Sequence, residues 1–252
     1  AIFQFALNLY FVPVGIIGVN YSVALFPRMN RAFLDRDAKS FFHDLFLGIR
    51  SILFWILPSA VLFWILRSDI VRVALGARAF SPEDIRLTAA CLGILTIAMI
   101  GASLLPHLIK SFYALNHTRA PMMIDIGGAL LSVGLAFFFT DAIVSRNALG
   151  IAIITFLNAG DIVHPEMLGI VLGFSLGLAI NVLLLYSALI RLSGRVFGKQ
   201  QVFPLMPLLK IFVAALGAGV AIYAVRIGFF EVSLSVPTLS VFVRGLFTGF
   251  IG

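Results

Sequence analysis

Apolar residues gather in seven long runs separated by short polar segments: 2–26, 45–66, 87–105 with an extension toward 113, 122–139, 167–190, 208–224, and a last run that begins near 241. A helix rises 1.5 Å per residue, so about 20 residues cross a hydrocarbon core ~30 Å thick. Six runs are near that length and the seventh stops soon after it starts. A strand reading fails, because period-2 alternation is missing and an open sheet would leave its edge groups unpaired in lipid. The pattern predicts an all-α, polytopic transmembrane bundle of about six complete spans plus a truncated seventh. The first run opens in mid-helix, with no charged segment or small-residue cleavage site before it. It is therefore not a signal peptide, and both ends of the sequence read as cut.

Two connecting segments carry structure of their own. Residues 67–75 place Ile70, Val71, Ala74 and Leu75 among Arg67, Ser68 and Arg72, the pattern of a short amphipathic helix on the membrane surface. Gly76 is read as its stop. Ser81, Pro82 and Asp84 then form a helix start, with Ser81 as N-cap, Pro82 in the first turn and Asp84 reaching back to the cap. Residues 147–157 are apolar but too short to cross, and are read as an interfacial helix. Residues 191–207 hold basic residues and two prolines and are read as a loop.

Charge sets the orientation. Loops after the odd-numbered runs carry ten Lys and Arg residues and the alternate loops six, which places residues 28–44 and 191–207 on the cytoplasmic side and 67–86 on the other. The net charge of +7 is thereby read as topology charge rather than as a nucleic-acid surface. With 61% hydrophobic and 12% charged residues, the chain has too little polar surface for a water-soluble domain. Its single cysteine, Cys91, lies in an apolar run and permits no intrachain disulfide. No metal-ligand spacing, phosphate-binding glycine loop, catalytic triad or paired catalytic carboxylates stand out. No cofactor and no covalent chemistry are expected.

Residues 13–34 read Pro-Val-Gly-Ile-Ile-Gly-Val-Asn-Tyr-Ser-Val-Ala-Leu-Phe-Pro-Arg-Met-Asn-Arg-Ala-Phe-Leu. This resembles the MurJ/MviN family of lipid II flippases, in the MOP exporter superfamily, where a Leu-Pro-x-Gly-x-x-Gly-Val helix ends in Leu-x-Pro-x-x-Ser/Asn-Arg; Pro27 and Arg28 fall in that ending. Gly76-Ala-Arg-Ala-Phe80-Ser-Pro-Glu-Asp84 is similar to the family's Gly-x-x-x-Phe-Thr/Ser-x-x-Asp. Ser111-Phe-Tyr-Ala-Leu-Asn-His-Thr-Arg-Ala-Pro121, with Tyr113 and Arg119 inside it, is similar to Ala-Phe-Tyr-Ala-Leu-Gly-Asp-Thr-Arg-Thr-Pro. Gly169-Ile-Val-Leu-Gly-Phe-Ser-Leu-Gly fits as well. The motifs keep the family's order over residues 1–190.

The resemblance implies a MATE-like fold of fourteen helices, two lobes of six and a terminal pair. Residues 1–190 would belong to the C-terminal lobe, and 191–252 would be a linker and the terminal pair, the second helix truncated. It implies a multi-pass protein of the bacterial cytoplasmic membrane. Its partners would be a lipid-linked anionic precursor, membrane lipids and the N-terminal lobe missing from this sequence. The activity implied is movement of the precursor by alternating access through a wet, cationic cavity, with the lipid tail in a groove formed by the last two helices. Export of another polyprenyl-linked saccharide or of a small cationic compound is the alternative, as is a transport-dead scaffold.

Such a cavity needs positive charge, because a pyrophosphate cannot enter hydrocarbon unpaired, and Arg meets phosphate oxygens with a two-pronged fork. The family carries an Arg five residues before the first-helix Pro and a polar residue two before it. Here those positions are Asn8 and Phe11. Asn8 reads either as a cavity residue or as a helix–helix hydrogen bonder. Pro13, Gly15 and Gly18 read as a kink with close packing, or as a hinge. Asp125 is an acid in the first turns of a span, a functional group by default and equally one that the helix dipole favours; Arg119 is its candidate partner. His107 and Lys110 follow Pro106 and read as a proton relay, or as a kinked helix end with Lys110 snorkelling.

The orientation is testable. Single cysteines replacing Asp37 and Glu83 in a Cys91→Ala background should differ in reactivity toward an impermeant thiol reagent in intact cells, Glu83→Cys being labelled and Asp37→Cys protected. Equal labelling overturns the assignment.

Overall fold

The computed structural model describes residues 2–75, 82–156, 165–198 and 205–235. The order of elements is α1 (Ile2–Pro13), a π-helical segment (Val14–Val19), α2 (Asn20–Leu34), α3 (Ala38–Leu75), α4 (Pro82–Ala114), α5 (Arg119–Val144), α6 (Ala148–Phe156), α7 (Glu166–Phe197) and α8 (Leu205–Ser235). Among these residues five helical stretches are long and apolar enough to cross a membrane, the first of them (Phe3–Leu34) running through α1, the π segment and α2, and α8 holds a shorter apolar stretch, Leu209–Ala224. The expected helical membrane bundle is thus observed. The run beginning near 241 lies outside the described residues, as do Gly76, Phe80 and Ser81.

Several helices outrun their apolar stretches. The segment 67–75, expected as a separate surface helix, is the continuation of α3, a single 38-residue helix. No Gly or Pro interrupts residues 59–75, so the backbone ladder persists after the side chains turn polar. Residues 191–197, expected as loop, are likewise the last turns of α7, which stops where Gly198 adopts a left-handed conformation, φ 67°. Asp37 starts α3. It accepts the Ser40 amide at 3.1 Å and the Ser40 hydroxyl at 2.6 Å. These bonds, the hydroxyl's first, hold the Asp37 carboxyl below its usual range. A lowered carboxylate pKa means the cap is at full strength at neutral pH and is lost as pH falls through that lowered value. Asp35, also exposed, is the labelling position that leaves this cap intact.

The first span is not a simple α-helix. Pro13 brings no N–H to the ladder, and the next six residues are wound as a π-helix. The side-chain amide of Asn20 donates to the Ile16 carbonyl at 2.7 Å, and the Ser22 hydroxyl to the Val19 carbonyl at 2.7 Å. Side chains thus take up backbone acceptors where lipid offers no water. The buried positions Ala6, Tyr10, Val14, Gly18 and Ser22 fall four apart. An unbroken α-helix would rotate such a series around its axis. The wider π turn keeps it on one seam, against α4.

That helix, α4, is the centre of the bundle: 83% of its apolar window is buried, against 6% for α5. It packs against α1, the π segment, α2, α3 and α7. Its polar core residues bond back to their own helix: Thr88 to Asp84, Thr96 to Gly93, Ser103 to Met99 and Ser111 to His107, at 2.6–2.8 Å. Gly18 lies against Ser103, where an added Cβ would come within 2.5 Å of its carbonyl oxygen.

The helix α5 is held chiefly by α7, through an antiparallel ladder. Gly169 faces Thr140, Gly173 faces Ala136, Gly177 faces Ser132, and Asn181 faces Gly128. A Cβ on Gly169 or Gly177 would come within 2.6 Å of the opposing Cα. This four-residue spacing lets two backbones meet, the main route to affinity between helices in lipid. Gly127, one residue from the ladder, has nothing within 4 Å. Gly173→Val should therefore cost about 1–3 kcal/mol by overpacking and lower the thermal midpoint in detergent. Gly127→Ala should be neutral or stabilising by up to ~1 kcal/mol. Equal midpoints for the two variants would remove the ladder as the basis of α5–α7 packing.

Candidate functional site

Four features of the bundle offer chemistry. The first is a stripe along the outer face of α1. Gln4, Asn8, Phe11 and Gly15 recur at helical spacing and are all exposed. The Gln4 amide donates to the Asn8 side-chain oxygen at 3.4 Å, so Asn8 bonds along its own helix rather than across to another. Phe11 is 53% exposed and rests against Tyr10, ring centroids 4.7 Å apart. Gly15 touches nothing within 4 Å, whereas Pro13 and Gly18 are buried. Close packing therefore belongs to Gly18, and Gly15 sits on the open side.

The second feature is a cleft of about 420 Å³ at the α2–α3 turn, lined by Pro27, Arg31, Asp35, Asp37, Ser40 and His43. On its wall Arg28 pairs with Asp44 at 2.7 Å; the Arg side chain is 58% exposed and the Asp 5%. Sequence reasoning misses Asp44. The signal for it is a lone acid within the apolar stretch that starts at Phe41.

The third joins α5 to α7. Asn181 donates to Asp125 at 2.9 Å, and Asn181 is 6% exposed. Asp125 thus takes its partner from the neighbouring helix. Arg119 is exposed, and among the described residues it makes no ion pair with Asp125. Beyond them lies a pocket of about 430 Å³ lined in part by Gly127, Gly128, Arg191 and Arg195. Asn181 has no motif around it, so the sequence alone does not mark it.

The fourth is a groove of about 720 Å³ between α3, α4 and α8, walled by Leu57, Val61, Ile97, Ile100, Phe212 and Leu216. Its walls are mostly apolar, with Arg67, Ser68, Thr96 and Tyr223 among them, and Arg67 lies 4.8 Å over the Trp64 ring.

The remaining residues sit apart from these. His107 is fully buried and donates from Nε2 to the Leu45 carbonyl at 3.0 Å, its ring filling the space above Gly48. Lys110 is half-buried, Tyr113 is 44% exposed, Pro121 is buried and Asp84 is half-buried in the first turn of α4. Asn8, Phe11 and Gly15 share one face, while Asp125 and His107 each bond elsewhere, so the polar candidates do not converge on one point within this chain. Among the described residues no three His, Cys, Asp or Glu side chains gather as a metal site would require.

The Arg28–Asp44 pair yields a directional test. Arg28→Gln strands a buried carboxylate and should cost about 1–3 kcal/mol. Asp44→Asn removes the buried charge and should cost less. Thermal midpoints in detergent rank the two, and the opposite order would mean the pair does not anchor α2 to α3.

The family model described as "Lipid II flippase MurJ" matches residues 1–241. Among similar curated proteins is a probable lipid II flippase MurJ of Rhizobium tropici, 29% identical over 160 residues, which are 63% of this chain and 30% of that protein. Another is the lipid II flippase MurJ of Thermosipho africanus, 24% identical over 48% of this chain and 24% of its own length. The chain thus matches less than a third of the length of these relatives. A solved structure, lipid II flippase MurJ in an inward closed conformation, superposes on 99% of this chain and 46% of its own, with TM-score 0.68 and 21% identity; it shares the fold. With the family model matched over nearly the whole sequence, the chain belongs to the lipid II flippase MurJ family.

Proposed function

We propose that the protein containing this chain moves a lipid-linked peptidoglycan precursor, lipid II, across the bacterial cytoplasmic membrane by alternating access, without covalent chemistry. The observation that carries this is the family match over residues 1–241. On this reading residues 1–190 belong to the C-terminal lobe and the remainder to the linker and terminal helices. The other cavity wall belongs, on this reading, to the N-terminal lobe, and several cavity-facing Arg residues there are what the flippase reading requires.

The physical task favours this division. A pyrophosphate and peptide carboxylates need a hydrated, hydrogen-bonding route, while a polyprenyl tail needs an apolar one. The exposed Gln4–Asn8–Phe11–Gly15 stripe is suited to border the first. The groove implied for the last two helices, of which α8 is the first, is suited to hold the second. The π turn beneath the stripe gives α1 a place to bend relative to α2. His107, buried between α3 and α4, and Asp125, bonded to Asn181, serve helix packing in this scheme. Lys110 is near enough to the helix end to snorkel.

One observation favours a second reading. Asn8 stands where relatives are expected to present Arg, and an amide cannot neutralise a phosphate, though it can donate hydrogen bonds to one. A different substrate or a scaffold without transport is the corresponding alternative. In the full-length protein Asn8→Arg should express in the membrane and keep or improve growth when the host's own flippase is depleted, because Arg adds charge and a fork. An Arg pointing into lipid would cost at least ~2.5–3.5 kcal/mol. Loss of insertion would therefore place Asn8 against lipid and remove α1 from the substrate route.

A further inference from the structure

The groove between α3, α4 and α8 contains one cation whose position the flippase reading does not require. Arg67 belongs to α3, on the far side of the span from the Asp37 turn, the side that the loop charges assign to the outer leaflet. Its guanidinium carbon lies 4.8 Å over the Trp64 ring. Its chain crosses Gly93 of α4, where an added Cβ would meet the Arg67 Cδ at 3.2 Å. The absence of a side chain at Gly93 gives the Arg room between the helices. Among the described residues no carboxylate pairs with it.

An arginine held this way has its guanidinium over an aromatic ring, and among the described residues its N–H groups meet no carboxylate. Stacking fixes the fork without satisfying it. The groove beside it is mostly apolar, with Tyr223 adding a phenol to its wall. Ser68 and Thr96 also line the groove, but the Thr96 hydroxyl is already bonded to the Gly93 carbonyl. A ligand matching this arrangement has an anionic, planar-accepting head at one end and hydrocarbon at the other. A phosphodiester takes the fork in two places, and acyl chains fill the groove. In a bilayer, the molecules of that chemistry at hand are anionic glycerophospholipids, and basic pockets between membrane helices near the headgroup level suit them.

We propose that Arg67, stacked on Trp64 and seated over Gly93, anchors the phosphate of an anionic phospholipid whose acyl chains occupy the α3–α4–α8 groove. This site is separate from the α1 stripe and does not depend on transport. Protein whose transport reading fails would still bind the lipid, and a failure of lipid binding leaves the Asn8 test standing.

Trp64 lines the groove and reports on it. The full-length protein is reconstituted in phosphatidylcholine containing acyl-brominated phosphatidylglycerol or, separately, acyl-brominated phosphatidylcholine at equal fraction. The Trp64 signal is taken as the difference between parent and Trp64→Phe protein. Bromines within the groove quench it. The parent should show about a fivefold enrichment of the anionic lipid, equivalent to ~1 kcal/mol for one basic residue at the membrane surface. Arg67→Gln should bring the two lipids to parity, and Arg67→Lys should keep part of the preference because the charge remains without the fork. Equal quenching by both lipids in the parent, a measurement needing no Arg67 variant, overturns the proposal. So does a preference that survives Arg67→Gln. Quenching by neither lipid would mean that protein covers the groove, and overturns it as well.

Discussion

In lipid, helices gain little from hiding apolar surface from one another, so their association rests on how near their backbones can come. The bundle is arranged around that limit. The central helix α4 presents Ala89, Ala90, Ala98, Ala102 and Ser103 among its buried residues, and Gly18 of the π segment reaches its backbone at Ser103. The α5–α7 pair repeats the device with Gly169, Gly173 and Gly177. Large side chains fill the space that remains: Phe41, Phe42 and Phe112 are almost wholly buried, and Phe41 packs on Phe197 with ring centroids 5.3 Å apart. Glycine and alanine set the distances, and phenylalanine fills what those distances leave.

The same dry interior governs the polar groups. Most core serines and threonines return their hydroxyls to carbonyls of their own helix, which satisfies them without fixing a neighbour's position; the buried Ser175 hydroxyl finds no partner among the described residues. Polar bonds between helices are few among the described residues: Arg28 with Asp44, Asn181 with Asp125, His107 with the Leu45 carbonyl, and two long ones from the Ser111 hydroxyl to the Met29 sulfur and the Thr140 hydroxyl to the Glu166 carbonyl. Bonds of this kind add specificity of register to a contact whose strength comes from packing. The groove holding Arg67 differs, since there a cation lies over an aromatic ring and meets no carboxylate among the described residues.

Membrane crossing by α-helices was legible from hydropathy, because an unbroken run of about 20 apolar residues matches the thickness of the hydrocarbon core and exceeds what a soluble core helix needs. The extent of the helices was not. Hydropathy marks where the surroundings change from lipid to water, while a helix ends where its backbone ladder is interrupted; α3 beyond Arg67 and α7 through Phe197 show the gap between these criteria. The family motifs located Gly18 and the Gly169–Gly173–Gly177 series, though not the partners facing them. Asp44 is marked only as a lone acid in an apolar stretch, and Asn181 and the Arg67–Gly93 contact depend on residues distant in sequence that no local pattern announces. Asn8 could be placed on a helix but not on a face, because the π segment between it and the rest of the span changes the rotation that a count by 3.6 would assign.

That segment also bears on how this helix is compared with others. A π turn accommodates one more residue than the α-helical turn it replaces, and one residue is worth about 100° of helical rotation. Two relatives, one with the extra residue and one without, would keep the same inward seam only if the residue is set against a gap. Aligned without that gap, one half of the helix agrees and the other presents its flank for its front. For this chain the gap belongs between Val14 and Val19, and its placement decides whether residues on the two sides of the π segment, Asn8 before it and Ser22 after it, are both set opposite their true counterparts.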